Sequence, residues 1–420
     1  MKRKTSRIAA VVAGLSAVVG ATGWSAFASA SGEQVELTWW VLTLQDDEKA
    51  LFEETIEGFE AEHPNITITL EERATDPHKD ALRRAVGTPA EPDMYFMWTG
   101  LGLGGEFVNA GASADLTEYY EQYGWEDRFS SPALAGATQY GGYHGVPLTI
   151  RGEAVFYRVD AFEQAGITEE PSTYDELVAA AEALVAEGIA PFEFGGTVNW
   201  HVMRLLDSLF ETVCGAETHD QLKAMEADWS TEPCVTETFT EFQMWTDEYL
   251  NEGFMGIDNL QSSQLIYTGR AAMALEGDWF NSDIDDNDSK DAYGVFPFPT
   301  GTGRLYGFTE ATYVGEQSEH KDEAAMFLDF LTSAEIQENF VGIFGSLSVN
   351  KDVAPAGDHP LDTDWVEIFD EAEGIYLNGD QSLPLDATTE YWRIQNSVAL
   401  GDIDPADAGA EMQRFIDARG

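Results

Sequence analysis

The sequence predicts an α/β protein built as two lobes, and three observations support that class. Its 420 residues exceed what a single hydrophobic core usually serves, which favours two units of roughly 150 to 200 residues each. Between residues 35 and 99, apolar strand patterns alternate with a helical pattern, the order typical of a parallel sheet with helical crossovers. A stretch at 141–162, glycine-rich and then β-branched and aromatic, indicates an extended crossing into a second unit. An ordinary hairpin and strand inside one domain is the alternative interpretation of that stretch.

The first thirty residues have the pattern of an export signal. Four basic residues within the first seven precede an apolar run at 8–21, which is too short to span a membrane. Small residues at Ala28 and Ala30 then offer a cleavage site. We therefore expect a signal peptide at 1–30 and an exported protein, at the cell surface, secreted, or periplasmic in a Gram-negative host. An uncleaved anchor is the alternative.

The chain is strongly acidic. It carries 76 Asp and Glu against 22 Lys and Arg, a formal net charge of −54. A charge of this sign and size repels nucleic acid and anionic lipid, so we exclude both as main partners. The acidic residues are spread along the whole sequence, which indicates a surface kept soluble in concentrated salt.

Cys214 and Cys234 are the only cysteines of the chain. Because an exported protein meets an oxidising environment, we expect a disulfide between them. It closes a loop of about 20 residues and contributes about 3 kcal/mol in the chain-entropy picture. A zinc site is the weaker alternative, because no pair of histidines lies nearby.

The first unit is predicted to consist of strands at 35–41, 66–70 and 92–98, with a helix that starts at Asp46 and stops before Pro64. Ligands of parallel sheets collect at the carboxyl ends of the strands. Five residues meet that condition: Trp39, Trp40, Thr43, Trp98 and Thr99. Burial in the core is the alternative role of each tryptophan.

The second unit is predicted to be mostly helical. Thr173 and Glu176 form a capping box in front of an amphipathic helix. The polar and aromatic segment 199–201 precedes further helices. Asp404 as N-cap and Pro405 at the first helical position start the last one.

Five segments occur in an order and spacing that suggest a known family. They are 39–59 (WWVLTLQDDEKALFEETIEGF), 92–116 (PDMYFMWTGLGLGGEFVNAGASADL), 145–162, 269–279 (GRAAMALEGDW) and 293–299 (YGVFPFP). Together they resemble the family 1 extracellular solute-binding proteins of ABC importers, the carbohydrate-binding branch that includes maltose-binding protein. The likeness covers nearly all of the chain after the signal.

The resemblance implies a two-lobed α/β fold of the periplasmic-binding-protein type, in which each lobe is a sheet flanked by helices. It implies three hinge crossings, near 149–151, 308–312 and 345–347. It further implies that lobe 1 comprises 31–150 plus 310–345, and that lobe 2 comprises 151–309 plus 346–420.

The resemblance also implies recognition of a carbohydrate without a reaction and without a cofactor. A pyranose has apolar faces and a rim of hydroxyls, so its site needs flat aromatic rings beside fixed donors and acceptors. Matching the family's stacking positions gives Trp279 and Trp392 from lobe 2 and Trp98 from lobe 1. The other candidates are Arg151, Glu153, Asp278, Glu310, Trp40, Trp200 and Tyr391. Core packing is the alternative for the rings, and a solvated surface for the carboxylates.

The implied partners are a small carbohydrate and the membrane permease subunits of an ABC transporter, and we expect a monomer. Two departures from the family pattern stand out. Where the family usually has Tyr-Asn-Lys-Asp, this chain has Arg158 and Val159 between Tyr157 and Asp160. No lipobox cysteine follows the apolar run.

Two further functions stay open on the sequence. A secreted glycoside-active enzyme needs two carboxylates about 5 to 10 Å apart across a cleft, a separation that composition does not give. A calcium-binding protein is suggested by the alternating oxygen ligands of 283–288. In that loop, however, Asp288 stands where an EF-hand has glycine, and Gly294 where it has glutamate.

Overall fold

The computed structural model describes residues 34–357 and 360–419, apart from the side chain of Asp286. The predicted signal peptide lies outside these residues. Among the helices of the described ranges, none combines the length and the apolar character needed to cross a membrane.

The described residues form one sheet with helices packed around it. Its strands are β1 (Val35–Leu42), β2 (Ile66–Arg73), β3 (Met94–Trp98), β4 (Val146–Arg158), β5 (Ala190–Phe192), β6 (Ala271–Gly277), β7 (Tyr293–Phe296), β8 (Arg304–Val314) and β9 (Gly374–Tyr376). The helices before β6 are α1 (Asp46–Glu62), α2 (Thr75–Ala85), α3 (Gly104–Asn109), α4 (Thr117–Tyr123), α5 (Trp125–Arg128), α6 (Ser131–Thr138), α7 (Val159–Ala165), α8 (Tyr174–Ala186), α9 (Asn199–Lys223), α10 (Pro233–Glu248) and α11 (Asn259–Tyr267). Those after it are α12 (Phe280–Asn287), α13 (Lys321–Leu331), α14 (Ala334–Phe340), α15 (Pro360–Glu371), α16 (Gly379–Ser382), α17 (Leu385–Ala399) and α18 (Pro405–Arg419).

Two long antiparallel strands, β4 and β8, carry the sheet from one half of the molecule to the other. The main path runs β2-β1-β3-β8-β4-β6-β5, with β7 added to β4 and β9 to β8. β8 pairs with β3 at one end and with β9 at the other, while β4 pairs with β6 and β7 beyond Gly152. The α/β class is confirmed. The sequence suggested a separate sheet in each lobe, whereas the hydrogen bonds between β4 and β8 join them into one.

The hydrophobic core is divided between the two halves. One large cluster contains Trp39, Phe52, Phe59, Ile150 and Phe327, and we call the half around it lobe 1. Two other clusters hold apolar residues from 154–305 and 361–412, and we call that half lobe 2. Val349 still packs in the lobe 1 cluster, although it follows the predicted third crossing. The exact lobe bounds stay a prediction.

Several local predictions are confirmed in lobe 2. Cys214 and Cys234 are joined in a disulfide, which ties α9 to the start of α10. Thr173 accepts from the backbone N–H of Glu176 in the capping box before α8. The last helix, α18, begins at Pro405. Each of these signals is local in sequence, so tertiary packing did not override it.

Candidate functional site

A cavity of about 680 Å³ lies where β4 and β8 cross between the lobes. Lobe 1 contributes the segment after β1, part of α2 and the end of β3. Lobe 2 contributes the start of α9, residues along the length of α11 and α12, and α16. The polar and aromatic lining residues of lobe 1 and the crossing strands are Thr43, Gln45, Glu48, Thr75, Lys79, Trp98, Thr149, Arg151, Glu153, Phe308 and Glu310. Those of lobe 2 are Trp200, Arg204, Asn259, Ser263, Gln264, Tyr267, Glu276, Trp279, Ser282, Asp283, Asn287, Asn378, Asp380 and Gln381.

Three half-buried tryptophans line this cavity, and a cation lies over each ring. The Arg204 guanidinium carbon is 5.0 Å from the ring centre of Trp200 and 5.2 Å from that of Trp279. Lys79 Nζ is 4.7 Å from the ring centre of Trp98. Contacts of this kind hold an aromatic ring in a fixed orientation. The rings come from both lobes, Trp98 from lobe 1 and the other two from lobe 2.

Trp279 follows β6 and folds back over the end of that strand. A Cβ placed on Gly277 would lie 2.0 Å from the indole ring, closer than any real contact allows. Glycine at this position is therefore required for the ring to enter the cavity. The Trp279 ring also packs against Phe308 of β8, with ring centres 5.9 Å apart.

A buried network of ion pairs and hydrogen bonds around Arg151 joins all three segments that the family resemblance implied as crossings. Arg151 Nε donates to Glu310 Oε2 at 2.9 Å, and its Nη1 donates to Asp278 Oδ1 at 3.4 Å. Thr149 donates its hydroxyl to the same Glu310 carboxylate. The backbone N–H of Ser346 donates to Asp278 Oδ2 at 3.3 Å. Burial raises the pKa of Asp278 to about 6 against the opposing charge of Arg151.

A second network surrounds Arg204 of α9. Its Nε lies 3.1 Å from Glu153 Oε1, and its Nη1 donates to Glu276 Oε2. Burial opposes ionisation of Glu276, but Arg204 and His201 outweigh it and hold the pKa at about 2. Burial raises the pKa of Glu153 to about 8 despite the neighbouring guanidinium. The positive charge of Arg204 is thus balanced by the ionised Glu276 inside the wall of the cavity.

One group of potential metal ligands occurs in the described ranges, formed by Glu193, His201 and Glu276. The backbone N–H of Gly195 donates to His201 Nδ1 at 2.9 Å, so the neutral imidazole carries its proton on Nε2. That Nε2 lies 3.0 Å from Glu276 Oε1 and is placed to donate to it. The histidine therefore presents no free lone pair to a cation, and the group is better explained as a buried polar cluster beside Arg204.

The structure brings six of the ten predicted site residues to the cavity. They are Trp98, Arg151, Glu153, Trp200, Trp279 and Glu310. Asp278 lies directly behind Arg151 and contacts it. The cavity lining does not include the other three, Trp40, Tyr391 and Trp392.

Each of those three residues has another position. The Arg73 guanidinium carbon lies 3.7 Å from the ring centre of Trp40, which borders a different, shallow depression on lobe 1. Tyr391 is fully buried and donates to Asp207 Oδ1 at 2.8 Å. Trp392 packs on the lobe 2 core, with its indole N–H directed at Met203 Sδ, 3.1 Å away. Of the other strand-end candidates, Thr43 lines the cavity, Trp39 is buried in the core, and Thr99 donates to Thr309 O.

Sequence reasoning missed Lys79, Arg204, Glu276 and the segment of Asn378, Asp380 and Gln381. Arg204 and Glu276 lie in patterns that read as ordinary helix and strand, so only their position in the fold identifies them. The segment 283–288, considered as a calcium loop, is mostly part of α12. A helix cannot wrap around a cation as an EF-hand loop does, so that interpretation was wrong.

Comparisons with known proteins agree with this architecture. A multiple sugar-binding protein of Streptococcus mutans is 22% identical over 375 residues, 84% of this chain and 85% of that protein. An uncharacterised ABC transporter extracellular-binding protein of Pyrococcus horikoshii is 28% identical over 239 residues, 55% of this chain and 52% of that protein. A solved chitin oligosaccharide binding protein has a TM-score of 0.81 at 26% identity, covering 92% of this chain and 99% of that one.

These likenesses confirm the two-lobed solute-binding fold expected from the sequence. The family described as bacterial extracellular solute-binding protein matches residues 43–338, which is more than half of the chain. With the cavity between its lobes, the protein belongs to the family of bacterial extracellular solute-binding proteins.

Proposed function

We propose that this protein captures a sugar or oligosaccharide between its two lobes and delivers it to the permease of an ABC transporter. The observation that carries the proposal is the cavity, which combines three tryptophans from both lobes with buried carboxylates and guanidinium groups. Indole faces suit the apolar faces of a pyranose, and the charged groups suit its hydroxyls. The names of the Streptococcus mutans relative and of the chitin oligosaccharide binding protein support the same ligand class.

The size of the cavity together with its lining favours a ligand of more than one sugar unit. Its volume of about 680 Å³ falls within the range of about 300 to 1,000 Å³ that is usual for ligand pockets in proteins. Trp98, Trp200 and Trp279 provide up to three stacking surfaces for successive units. We therefore propose an oligosaccharide as the main ligand.

Delivery to a transporter is proposed from the family and from the ABC transporter name of the Pyrococcus horikoshii relative. The family is extracellular, which supports a position outside the cytoplasm. We propose that the lobes, with the bounds expected from the sequence, close over the ligand by bending at the crossing strands. The closed form then presents both lobes to the permease.

Calorimetry of the purified protein with a panel of xylo-, cello-, malto- and chito-oligosaccharides tests ligand capture. We expect saturable binding of at least one sugar, and chromatography of the incubated sugar should recover it at its original length. Shortened sugar would contradict simple binding, and a panel without any binding would contradict the carbohydrate class. A thermal shift produced by calcium alone would also speak against the proposal.

A further inference from the structure

Among the described residues, two charged side chains of the cavity wall have no hydrogen-bond or ion-pair partner. Nine charged residues of the described chain line the cavity. Arg151 and Arg204 account for five of them through the two networks described above. Glu48 accepts from the backbone N–H of Gln45 at 2.9 Å, and Asp283 Oδ1 accepts from the Gln45 side-chain amide at 3.3 Å. The remaining two are a lysine of lobe 1 and an aspartate of lobe 2.

The lysine is Lys79 of α2. Its residue is only 8% exposed, and its Nζ lies over the ring of Trp98. Within residues 34–357 and 360–419, this ammonium makes no hydrogen bond or ion pair. Burying an unpaired ammonium is costly, and a ring face satisfies none of its three N–H donors. These donors are therefore available to a molecule in the cavity.

The aspartate is Asp380 of α16, which is 6% exposed. The backbone beside Asp380 is anchored to the lobe 2 interior, because the N–H of the preceding residue, Gly379, donates to Asp207 Oδ2 at 2.6 Å. Tyr306 donates to the same carboxylate oxygen at 2.9 Å. The Asp380 carboxylate itself has no hydrogen-bond or ion-pair partner in the described part of the chain.

The charges of these two residues act on each other across the cavity. Burial raises the pKa of Asp380, and the positive charge of Lys79 is the largest single charge that opposes this rise. The two groups are nevertheless too far apart to pair directly. A molecule between them is needed to connect the ammonium on lobe 1 with the carboxylate on lobe 2.

We propose that Lys79 and Asp380 bind the ligand from opposite lobes and select an uncharged sugar, an inference that rests on the proposed function. Lys79 only donates hydrogen bonds and Asp380 only accepts them, so the ligand must offer an acceptor beside a donor. Adjacent hydroxyls or an acetamido group offer both. A uronate meets like charge at Asp380 and opposite charge at Lys79, and an amino sugar meets the reverse. The pair therefore gives a charged ligand no net attraction to offset the cost of removing its charge from water. Arg151 and Arg204 do not offset a ligand anion, because their charges are already paired.

Calorimetry with defined trisaccharides tests this selection. The neutral probes are xylotriose and triacetylchitotriose, and the charged probes are trigalacturonate and the fully deacetylated chitotriose. We expect wild-type protein to bind one of the neutral probes at least about 10-fold more tightly than either charged probe. Lys79→Met and Asp380→Asn should each lower the affinity for the neutral probe about 10-fold or more, which is the usual effect of losing a hydrogen bond to a charged group.

Matched controls remove surface charges that do not line the cavity. Lys321→Met and Asp386→Asn break exposed ion pairs with Glu316 and Arg419, and both should bind the neutral probe within twofold of wild type. Since neither Lys79 nor Asp380 has a hydrogen-bond or ion-pair partner among the described residues, their neutral replacements should not lower the melting temperature. Lys79→Gln, which keeps a hydrogen-bond donor, serves as a second variant. Its affinity for the neutral probe should lie between those of wild type and Lys79→Met.

The outcomes separate this inference from the proposed function. If no neutral sugar binds wild-type protein, the proposed function fails and the inference fails with it. If a neutral sugar binds and both variants match wild type within twofold while melting normally, only the role of Lys79 and Asp380 is overturned. Equal or tighter binding of a charged trisaccharide would overturn the selection for uncharged sugars.

Discussion

At the scale of single residues, Trp279 has the strongest case as a ligand contact. Its ring lines the cavity, Gly277 provides the space for it, and Phe308 and Arg204 hold its orientation. Loss of a ring from a desolvated stacking position costs about 2 kcal/mol, or roughly 30-fold in affinity. We therefore expect Trp279→Ala to weaken binding of the identified sugar by about that factor in calorimetry.

Trp392 gives the matched comparison, because it was selected by the same family positions but packs on Met203 and the lobe 2 core. Trp392→Ala should lower the melting temperature while affinity stays within twofold of wild type. A large loss of affinity in Trp392→Ala, with none in folded Trp279→Ala, would reverse the assignment of the site.

A second prediction at this scale concerns Glu193, which is fully buried beside Glu276. Burial raises its pKa from 4.5 to about 8, so the native state keeps a proton that the unfolded chain releases above pH 4.5. The contribution of this group to stability is therefore greatest below pH 4.5 and falls as the pH rises to about 8. We expect Glu193→Gln to lose less stability than wild type between pH 5 and 8, by on the order of 2 kcal/mol.

Urea unfolding at a series of pH values measures this difference. Glu187→Gln, at an exposed position after α8, is the control and should follow wild type. Parallel pH profiles for Glu193→Gln and wild type would show that Glu193 is ionised in the native protein.

Sequence reasoning predicted some of the residues that line this site and missed others. Trp279 and Arg151 lie in segments that resemble the solute-binding family, so the resemblance could place them at the site. Lys79 and Asp380 lie far apart in sequence, within segments that have no such pattern, and only the fold places them on opposite walls. A missing partner is a property of three-dimensional surroundings, which sequence spacing does not contain.

At the scale of elements, the crossing strands β4 and β8 define how the lobes connect. The glycines and the extended run at 141–162 predicted a crossing, and the family likeness placed a second one at 308–312. That these segments pair with each other could not be read from either segment alone, because strand pairing depends on contacts distant in sequence. The Arg151 network then links both strands to Asp278 and Ser346. A hinge motion of the lobes must therefore rearrange the hydrogen bonds around this one buried guanidinium group.

A contact between Gly102 of lobe 1 and the α16 segment of lobe 2 provides a test of lobe closure. The Gly102 N–H donates to Gln381 O at 3.1 Å. A Cβ on Gly102 would lie 2.1 Å from Leu383 O and 2.2 Å from Asp380 O, both rigid backbone atoms. Gly102→Ala must therefore push α16 away, and we expect it to weaken sugar binding at least about 10-fold and to enlarge the radius of gyration with ligand bound.

Small-angle scattering and calorimetry measure these two effects. Gly58→Ala in α1 is the matched control, since its added Cβ would meet Phe330 at an ordinary 3.6 Å. Tight binding and an unchanged radius in Gly102→Ala would mean that closure does not depend on this contact.

At the scale of the whole molecule, charge is the dominant feature, and it is arranged differently inside and outside. Inside, Arg151, Arg204 and Lys223 are each held against carboxylates in ion pairs that water hardly reaches. Outside, most of the acidic residues that the structure describes are at least partly exposed, and the chain has only 22 basic residues against its 76 acidic ones. Buried pairs are screened weakly by salt, whereas repulsion between surface carboxylates is screened strongly. The two populations should therefore respond differently to ionic strength.

We expect the melting temperature to rise between low and molar sodium chloride, because screening relieves the surface repulsion and leaves the buried pairs intact. The screening length falls from about 10 Å at 0.1 M to about 3 Å at 1 M, shorter than most spacings between surface charges. Relief of roughly 2 kcal/mol would raise the melting temperature by about 4 to 8 °C for lobes of this size. Sucrose at equal osmolality is the control, since it stabilises by exclusion from the surface and does not screen charge. A melting temperature that stays flat or falls in sodium chloride would mean that specific surface ion pairs outweigh the net repulsion.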